Sequence, residues 1–211
     1  MTERYTPDKN EINLLPAFDR LDLRHIELVN TARTAQAAWA ELRHATALGF
    51  DTESKPTFAK HEASDGPHIV QLSSATAGWI FQLQDAECRA VVAALLESPG
   101  ILKAGFGLGD DKRRIHSKLG IDFQNVLDLN ASFKALGYRK DMGVRGAVAV
   151  LFHQRFIKSK KASTSNWANP QLTEAQLVYA ANDAYAALRV WAELQARGSQ
   201  PALEATAQRL V

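Results

Sequence analysis

The segment Leu172–Trp191 constrains the fold more than any other part of this 211-residue chain. Thr173 and Gln176 have the spacing of a capping box, which predicts that a helix begins here. After this first turn only Asp183 and Arg189 are charged, and apolar residues recur with the helical period on two nearly opposite sides. The pattern predicts a helix that is buried on both faces, with the rest of the chain packed around it.

The remaining sequence alternates predicted strands and helices. Strands are predicted at residues 25–30, 46–53, 68–73, 79–83, 101–106 and 125–129. One helix is predicted to begin with Thr34 as its N-cap, a second to run from Asp85 to Leu96, and a third from the turn at Gly109 to Gly120. Three hairpin-like strands followed by alternating strands and helices predict an α/β fold, with a mixed central sheet flanked by helices. We expect a single domain at residues 25–197, an N-terminal extension at 1–24, and a C-terminal tail or short helix at 198–211.

Composition excludes several classes of protein. The chain is 46% hydrophobic and 23% charged, which excludes disordered and collagen-like chains. The single cysteine, Cys88, excludes a disulfide scaffold or a cysteine-rich zinc module and fits a reducing compartment. The first residues are too polar for a signal peptide, and no apolar stretch is long enough to span a membrane. We therefore expect a cytoplasmic protein without a membrane partner. The net charge of +2 argues neither for nor against binding of nucleic acid.

Carboxylates occur at three places where burial would make them costly. Asp183 lies on the predicted buried helix, so it must be protonated, paired with a cation or bound to a metal. Asp51 and Glu53 are two residues apart in a predicted strand, so both project from the same face and repel each other unless a cation lies between them.

The third place is the strand-to-helix turn that leads from Gly105 through Gly107 to Asp110 and Asp111. The turn lacks the glycine spacing of a dinucleotide fingerprint, and its acids would repel a pyrophosphate. An ordinary tight turn with acids in the first helical turn is the simpler interpretation of this segment alone. All three places together predict a site for hard divalent cations, two of which promote in-line displacement at phosphorus.

These residues resemble the motifs of the DEDD 3′–5′ exonucleases, in the branch whose last motif is Tyr-x-x-x-Asp. The DxE pair at Asp51 and Glu53, the Asp after a Gly-x-Gly turn, and Tyr179 four residues before Asp183 carry the resemblance. The segments GFDTE, KAGFGLGDD and SNWANPQLTEAQLVYAANDAYAALRVW also resemble RNase D and the exonuclease domain of the Werner syndrome protein. The resemblance implies an RNase H-like fold and release of nucleoside 5′-monophosphates from a 3′ end.

The resemblance also implies a role for each matched residue. Asp51 would bridge two divalent cations, Mg²⁺ or Mn²⁺, and Glu53 and Asp183 would complete the site that activates the attacking water. Asp111 would hold the second cation, near the leaving 3′ oxygen. Tyr179 would orient the water.

Contacts with nucleic acid are predicted from the basic and aromatic residues near the helix. The basic segment contains Lys158, Lys160 and Lys161, which could contact the phosphate backbone or only form a solvated loop. Trp167 and Phe58 are candidates to stack on terminal bases, although core packing is an alternative for Trp167. The short sequence after Trp191 leads us to expect low processivity, or a protein partner that supplies it.

Three alternatives to a DNA-directed exonuclease remain. An RNA-trimming enzyme of RNase D type differs in contacts with the 2′-hydroxyl, which one sequence does not show. A catalytically silent nucleic-acid-binding module would be signalled by the loss of a ligand, whereas all four acids and the tyrosine are present here. A dinucleotide-binding enzyme is the third alternative, but the glycines of the Gly105 turn do not have the spacing that dinucleotide binding requires.

Overall fold

A computed structural model describes residues 4–56 and 65–207 of the chain. Its described strands form one mixed sheet in the order β1-β4-β3-β2-β5-β6. Strands β2, β3 and β4 are antiparallel neighbours, whereas β1 pairs parallel to β4, β5 to β2 and β6 to β5. The strands are β1 (Ile26–Val29), β2 (Ala47–Glu53), β3 (Ile69–Ser73), β4 (Gly78–Gln82), β5 (Leu102–Gly105) and β6 (Val126–Asp128). The predicted α/β class and the mixed sheet are confirmed.

Helices cover both faces of this sheet. Helices α2, α3 and α4 pack on one face, and α5, α6 and α8 pack on the other, each layer with its own hydrophobic core. The helices are α1 (Lys9–Leu14), α2 (Ala32–Leu42), α3 (Ala86–Glu97), α4 (Gly109–Leu119), α5 (Leu129–Ala135), α6 (Gly143–Phe152), α7 (Lys160–Ser163) and α8 (Glu174–Ala207). No described helix is both long and apolar enough to cross a membrane.

Helix ends follow the capping signals with one exception. Thr173 and Gln176 exchange the expected contacts at the start of α8, and Asp85 caps α3. The prediction that Thr34 caps α2 is wrong, because Thr31 is the N-cap. Thr34 is the third helical residue, and its side chain accepts a hydrogen bond from the backbone N–H of Thr31. Helix α8 continues beyond Trp191, through Gly198 and Pro201, to Ala207.

The N-terminal segment contributes to the core on the α8 side of the sheet. Phe18 and Leu21 are buried there, and the backbone of Leu21 bonds to the buried side chain of Asn182 at 2.8 and 3.0 Å. This pair of bonds fixes the segment to α8 one residue before Asp183. Phe58 and most of the loop predicted between β2 and β3 lie outside the described residues.

Candidate active site

The central strand and the last helix approach each other unusually closely. A Cβ atom at Gly49 would lie 1.9 Å from the carbonyl oxygen of Ala184, so only glycine fits there. Asp51 follows Gly49 by two residues on the same face of β2, and Asp183 precedes Ala184 on α8. The close backbone contact therefore brings the carboxylates of Asp51 and Asp183 together.

The carboxylates on β2 are held in an environment that disfavours their charge. Burial, followed by repulsion from Asp183 and Asp111, raises the pKa of Asp51 to about 8. Burial and the negative charges of Asp51 and Asp183 raise the pKa of Glu53 to about 9. The positive groups of the protein therefore do not offset the cost of ionising both of these carboxyls.

Asp183 has one cationic neighbour, Lys158. The Lys158 Nζ lies 2.9 Å from Oδ2 of Asp183, which is nearly fully buried, while the lysine side chain stays 37% exposed. This ion pair and a contact with the Tyr179 side chain favour the ionised form of Asp183. Burial still raises the pKa of Asp183. The carboxylates of Asp183, Asp51 and Glu53 raise the pKa of Lys158, although burial alone would lower it.

Tyr179 lies one helical turn before Asp183 and is buried. Its ring centroid is 5.3 Å from Nζ of Lys158 and 6.0 Å from the ring of Trp167. Burial, followed by the charges of Asp183 and Glu53, raises the pKa of the Tyr179 hydroxyl. The hydroxyl therefore stays neutral and can both donate and accept a hydrogen bond beside the carboxylates.

The turn between β5 and α4 positions Asp111. A Cβ atom at Gly105 would lie 2.5 Å from the carbonyl oxygen of Phe50, and Gly107 has a φ of +70°, so both positions favour glycine. The Asp128 carboxylate accepts hydrogen bonds from the backbone N–H groups of Gly107 and Leu108 at 3.1 and 3.0 Å. These contacts hold the start of α4 against the end of β6.

The two adjacent acids of α4 point in different directions. Asp111 is half-buried and accepts a hydrogen bond from the Thr52 hydroxyl on β2, and burial raises its pKa. Asp110 is exposed and pairs with Arg113 on its own helix. Of the two, Asp111 is the acid that joins the cluster around β2.

Of the residues predicted to bind nucleic acid that the structure describes, Lys158 alone lies among the carboxylates. Lys160 and Lys161 are exposed on the short helix α7. Trp167 is fully buried, so the prediction that it stacks on a substrate base is wrong; its indole packs beside Tyr179 inside the domain.

Sequence reasoning missed two residues that support this arrangement, Thr52 and Asp128. Thr52 lies between Asp51 and Glu53, where alternation would point it away from both, yet its hydroxyl reaches Asp111. Asp128 ends β6 and also caps α5 through the Asn130 N–H at 3.0 Å. The only signal in the sequence was an acidic residue at a strand end.

The donor set has the chemistry of a divalent-cation site. Four carboxylates with little compensating charge suit hard cations, which prefer oxygen ligands. In their present orientations, no three His, Cys, Asp or Glu side chains among the described residues group closely enough to hold a metal ion. Asp111 is engaged by Thr52 and Asp183 by Lys158.

A cleft of about 390 Å³ opens beside Glu53 and Asp111. Its wall includes two basic side chains, Lys55 and Arg114, and the hydroxyl of Ser54, which accepts a hydrogen bond from Arg114 at 3.3 Å. The cleft is therefore lined by both acidic side chains, Asp110 among them, and basic side chains, a combination that can hold cations and contact a phosphate group.

Comparisons with known proteins agree with this geometry. The exonuclease domain of Nibbler from Aedes aegypti has the same fold with a TM-score of 0.71 and 19% identity, over 86% of this chain and 92% of that one. RNase D of Trypanosoma brucei in complex with RNA U12 superposes with a TM-score of 0.69 and 20% identity, over 88% of this chain and 64% of that one. The RNase H-like fold is therefore confirmed.

Sequence comparison identifies the family. The bifunctional 3′–5′ exonuclease/ATP-dependent helicase WRN of Mus musculus is 28% identical over 149 residues, which is 70% of this chain and 11% of that protein. This chain thus spans about a tenth of that relative. The profile of the DNA polymerase A type 3′–5′ exonuclease family matches residues 26–198. The chain belongs to this 3′–5′ exonuclease family, within the DEDD superfamily.

Proposed function

We propose that the protein is a 3′–5′ exonuclease that uses divalent cations to hydrolyse the terminal phosphodiester bond of a nucleic acid and releases nucleoside 5′-monophosphates. The observation that carries the proposal is the convergence of Asp51, Glu53, Asp111 and Asp183 beside a cleft, where burial raises the pKa of all four and mutual repulsion adds to it at Asp51 and Glu53. A cluster of this kind has no evident structural benefit, because burying like charges together destabilises a fold.

The four carboxylates would hold two cations, Mg²⁺ or Mn²⁺. By the family resemblance, Asp51 would be shared, Glu53 and Asp183 would hold the first cation, and Asp111 the second. Cations bound here would lower the pKa of a water molecule and neutralise charge on the phosphate. Because Asp111 and Asp183 now contact Thr52 and Lys158, both side chains would have to exchange these partners when cations bind.

Tyr179 and Lys158 would act on the substrate side of the carboxylates. The neutral hydroxyl of Tyr179 would accept or donate a hydrogen bond that orients the attacking water. The Lys158 ammonium, once released from Asp183, would be free to pair with a phosphate oxygen. Lys55 and Arg114, on the wall of the cleft, would attract the backbone of the strand that enters.

DNA is the first candidate substrate, and RNA is the second. The match to the exonuclease profile that is named for DNA polymerase A supports a DNA-directed enzyme, whereas the similar fold of RNase D bound to RNA U12 supports RNA trimming. The cytoplasmic location and a partner that supplies processivity stay predictions.

One comparison of substrates tests the proposal. The protein is incubated with Mg²⁺ or Mn²⁺ and three oligonucleotides labelled at the 5′ end: single-stranded DNA, duplex DNA with a recessed 3′ end, and RNA of the same sequence. We expect the DNA to shorten stepwise from its 3′ end, faster than the RNA. Faster shortening of the RNA would establish the alternative substrate. Failure to shorten any of the three would reject exonuclease activity.

A further inference from the structure

Gln71 is a buried amide directly beside the carboxylates. It lies on β3, where its Cα is the partner of Asp51 on β2 and of Ile80 on β4. Residues opposite each other in an antiparallel pair project from the same face with Cβ atoms about 5 Å apart. Because Asp51 projects toward α8, the side chain of Gln71 lies in the same layer between the sheet and α8.

The carboxamide of Gln71 has no hydrogen-bond partner among the described residues. The side chain is fully buried, and both Oε1 and Nε2 are unpartnered, whereas nearly all buried polar side chains in proteins are bonded. Its neighbour Ile80 is apolar, and the α8 residues that lie against Gly78 and Gly49 are apolar too: Ala181, Ala184 and Leu188. The carboxylate of Asp51, its cross-strand partner, is a polar group within reach of the Gln71 side chain.

Asp183 faces Asp51 from the helix side. Its carboxylate is paired with Lys158 at 2.9 Å and contacts the Tyr179 side chain. Asp51 thus lies between a buried amide on the sheet, which has no hydrogen-bond partner among the described residues, and a buried, paired carboxylate on the helix. Oδ1 of Asp51 accepts one bond, from the backbone N–H of Thr52 at 2.9 Å.

We propose that Gln71 is a positioning residue, whose Nε2 donates a hydrogen bond to the Asp51 carboxylate once cations are bound and so holds that carboxylate in its cation-binding orientation. This inference rests on the proposed function. A neutral donor suits the place, because a lysine would compete with the cation and a glutamate would add repulsion. Groups that orient a ligand in this way commonly change metal affinity or activity by about 10- to 100-fold when they are removed.

The test compares Gln71→Met with Gln82→Met. Gln82, on β4, is also buried, but its Nε2 donates to the carbonyl oxygen of Asn169 at 3.0 Å. Three quantities are measured for the full chain: the Tm in EDTA, the Mn²⁺ affinity by titration calorimetry without substrate, and kcat with KM. Gln71→Leu, which has a different shape and also lacks the amide, repeats the measurements.

Opposite behaviour of the two positions is the expected result. Because Gln71 is unbonded without cations, Gln71→Met and Gln71→Leu should keep or raise the Tm in EDTA. They should weaken Mn²⁺ binding about tenfold or more and lower kcat with little change in KM. Gln82→Met should lower the Tm because it breaks a bond, and should leave Mn²⁺ affinity unchanged.

Two outcomes would overturn the inference, and they can be distinguished. Wild-type Mn²⁺ affinity and kcat in Gln71→Met, or a Tm that falls as in Gln82→Met with no loss of affinity, would show that Gln71 only fills space while the proposed function stands. A wild-type protein that neither binds Mn²⁺ nor shortens nucleic acid would reject the proposed function and this inference with it.

Discussion

The ammonium group of Lys158 lies 2.9 Å from the buried carboxylate of Asp183 and 5.3 Å from the ring of Tyr179. A lysine of the chain thus provides positive charge at the place where the family resemblance puts a cation. The carboxylates that surround it hold the pKa of Lys158 above its ordinary value. This ion pair is the clearest link between the electrostatics of the site and its expected cation dependence.

Replacement of Lys158 should lower the stability of the metal-free protein and raise its affinity for Mn²⁺. Lys158→Met leaves Asp183 buried without a counter-charge, so the Tm in EDTA at pH 8 should fall. We expect a loss of about 1 kcal/mol, modest because Lys158 is partly exposed, which is about 2–4 °C for a chain of this size. Mn²⁺ should bind more tightly, because no ammonium competes for Asp183. Lys160→Met, at an exposed position of α7, is the control and should change neither the Tm nor the Mn²⁺ affinity. Weaker Mn²⁺ binding in Lys158→Met would contradict competition between Lys158 and the cation for Asp183.

Stability in the absence of metal should depend on pH through Asp51. Its pKa of about 8 in the folded protein lies above the value of about 4 expected in the unfolded chain. The folded state therefore holds a proton that the unfolded state releases, and this contribution to stability is lost as the pH rises through about 8.

The measurement is the Tm in EDTA between pH 6 and pH 9. Asp51→Asn cannot ionise, so its Tm should fall less over this range than that of the wild type and exceed it at pH 9 by about 2–4 °C, or about 1 kcal/mol. Asp110→Asn, at an exposed position, should follow the wild-type profile. Parallel profiles for Asp51→Asn and the wild type would mean that Asp51 ionises normally.

Much of this site was predictable from local patterns. Alternation along β2 placed Asp51 and Glu53 on one face, and the capping box fixed the start of α8 and thus the face that carries Tyr179 and Asp183. The faces of β2 and α8 that carry these residues could be predicted because strand and helix periods depend only on nearby sequence.

The parts that were not predictable depend on contacts between distant segments. Trp167 is buried in the hydrophobic core beside Tyr179 of α8, and nothing in the sequence around it distinguishes this from an exposed stacking position. Thr31 rather than Thr34 caps α2. Both side chains can accept a capping hydrogen bond, and the extended backbone at Thr31 sets the helix start there. The register that places Gln71 opposite Asp51 is set by the whole sheet.

Adjacent acids on α4 should differ sharply in function. Asp111→Asn should be nearly inactive, because this carboxylate joins the cluster. Asp110→Asn should keep a near-normal rate and lose at most about 0.3–1 kcal/mol of stability, since it only favours the helix N-terminus and pairs with Arg113. Turnover of a labelled oligonucleotide at saturating Mg²⁺ and the Tm decide the matter. If Asp110→Asn is inactive and Asp111→Asn is active, the cation-binding acid of α4 is Asp110 and the predicted motif is misaligned by one residue.

Loss of the Tyr179 hydroxyl should slow the reaction less than loss of a carboxylate. Tyr179→Phe keeps the ring that packs against Trp167, so the fold should be unchanged. A positioned group of this kind typically contributes about 10²- to 10⁴-fold, and the single-turnover rate at saturating metal should fall within that range. A wild-type rate would assign Tyr179 to packing alone.

The most direct test of the central claim follows one DNA strand labelled at its 5′ end, incubated with Mg²⁺ and either the wild type or Asp51→Asn. For the wild type we predict a ladder that shortens one nucleotide at a time from the 3′ end, with nucleoside 5′-monophosphate as the product, and no reaction after EDTA treatment. Asp51→Asn should leave the strand intact while its circular dichroism spectrum stays that of the wild type. Undiminished degradation by folded Asp51→Asn, or by the wild type stripped of metal, would contradict a cation-dependent exonuclease centred on Asp51.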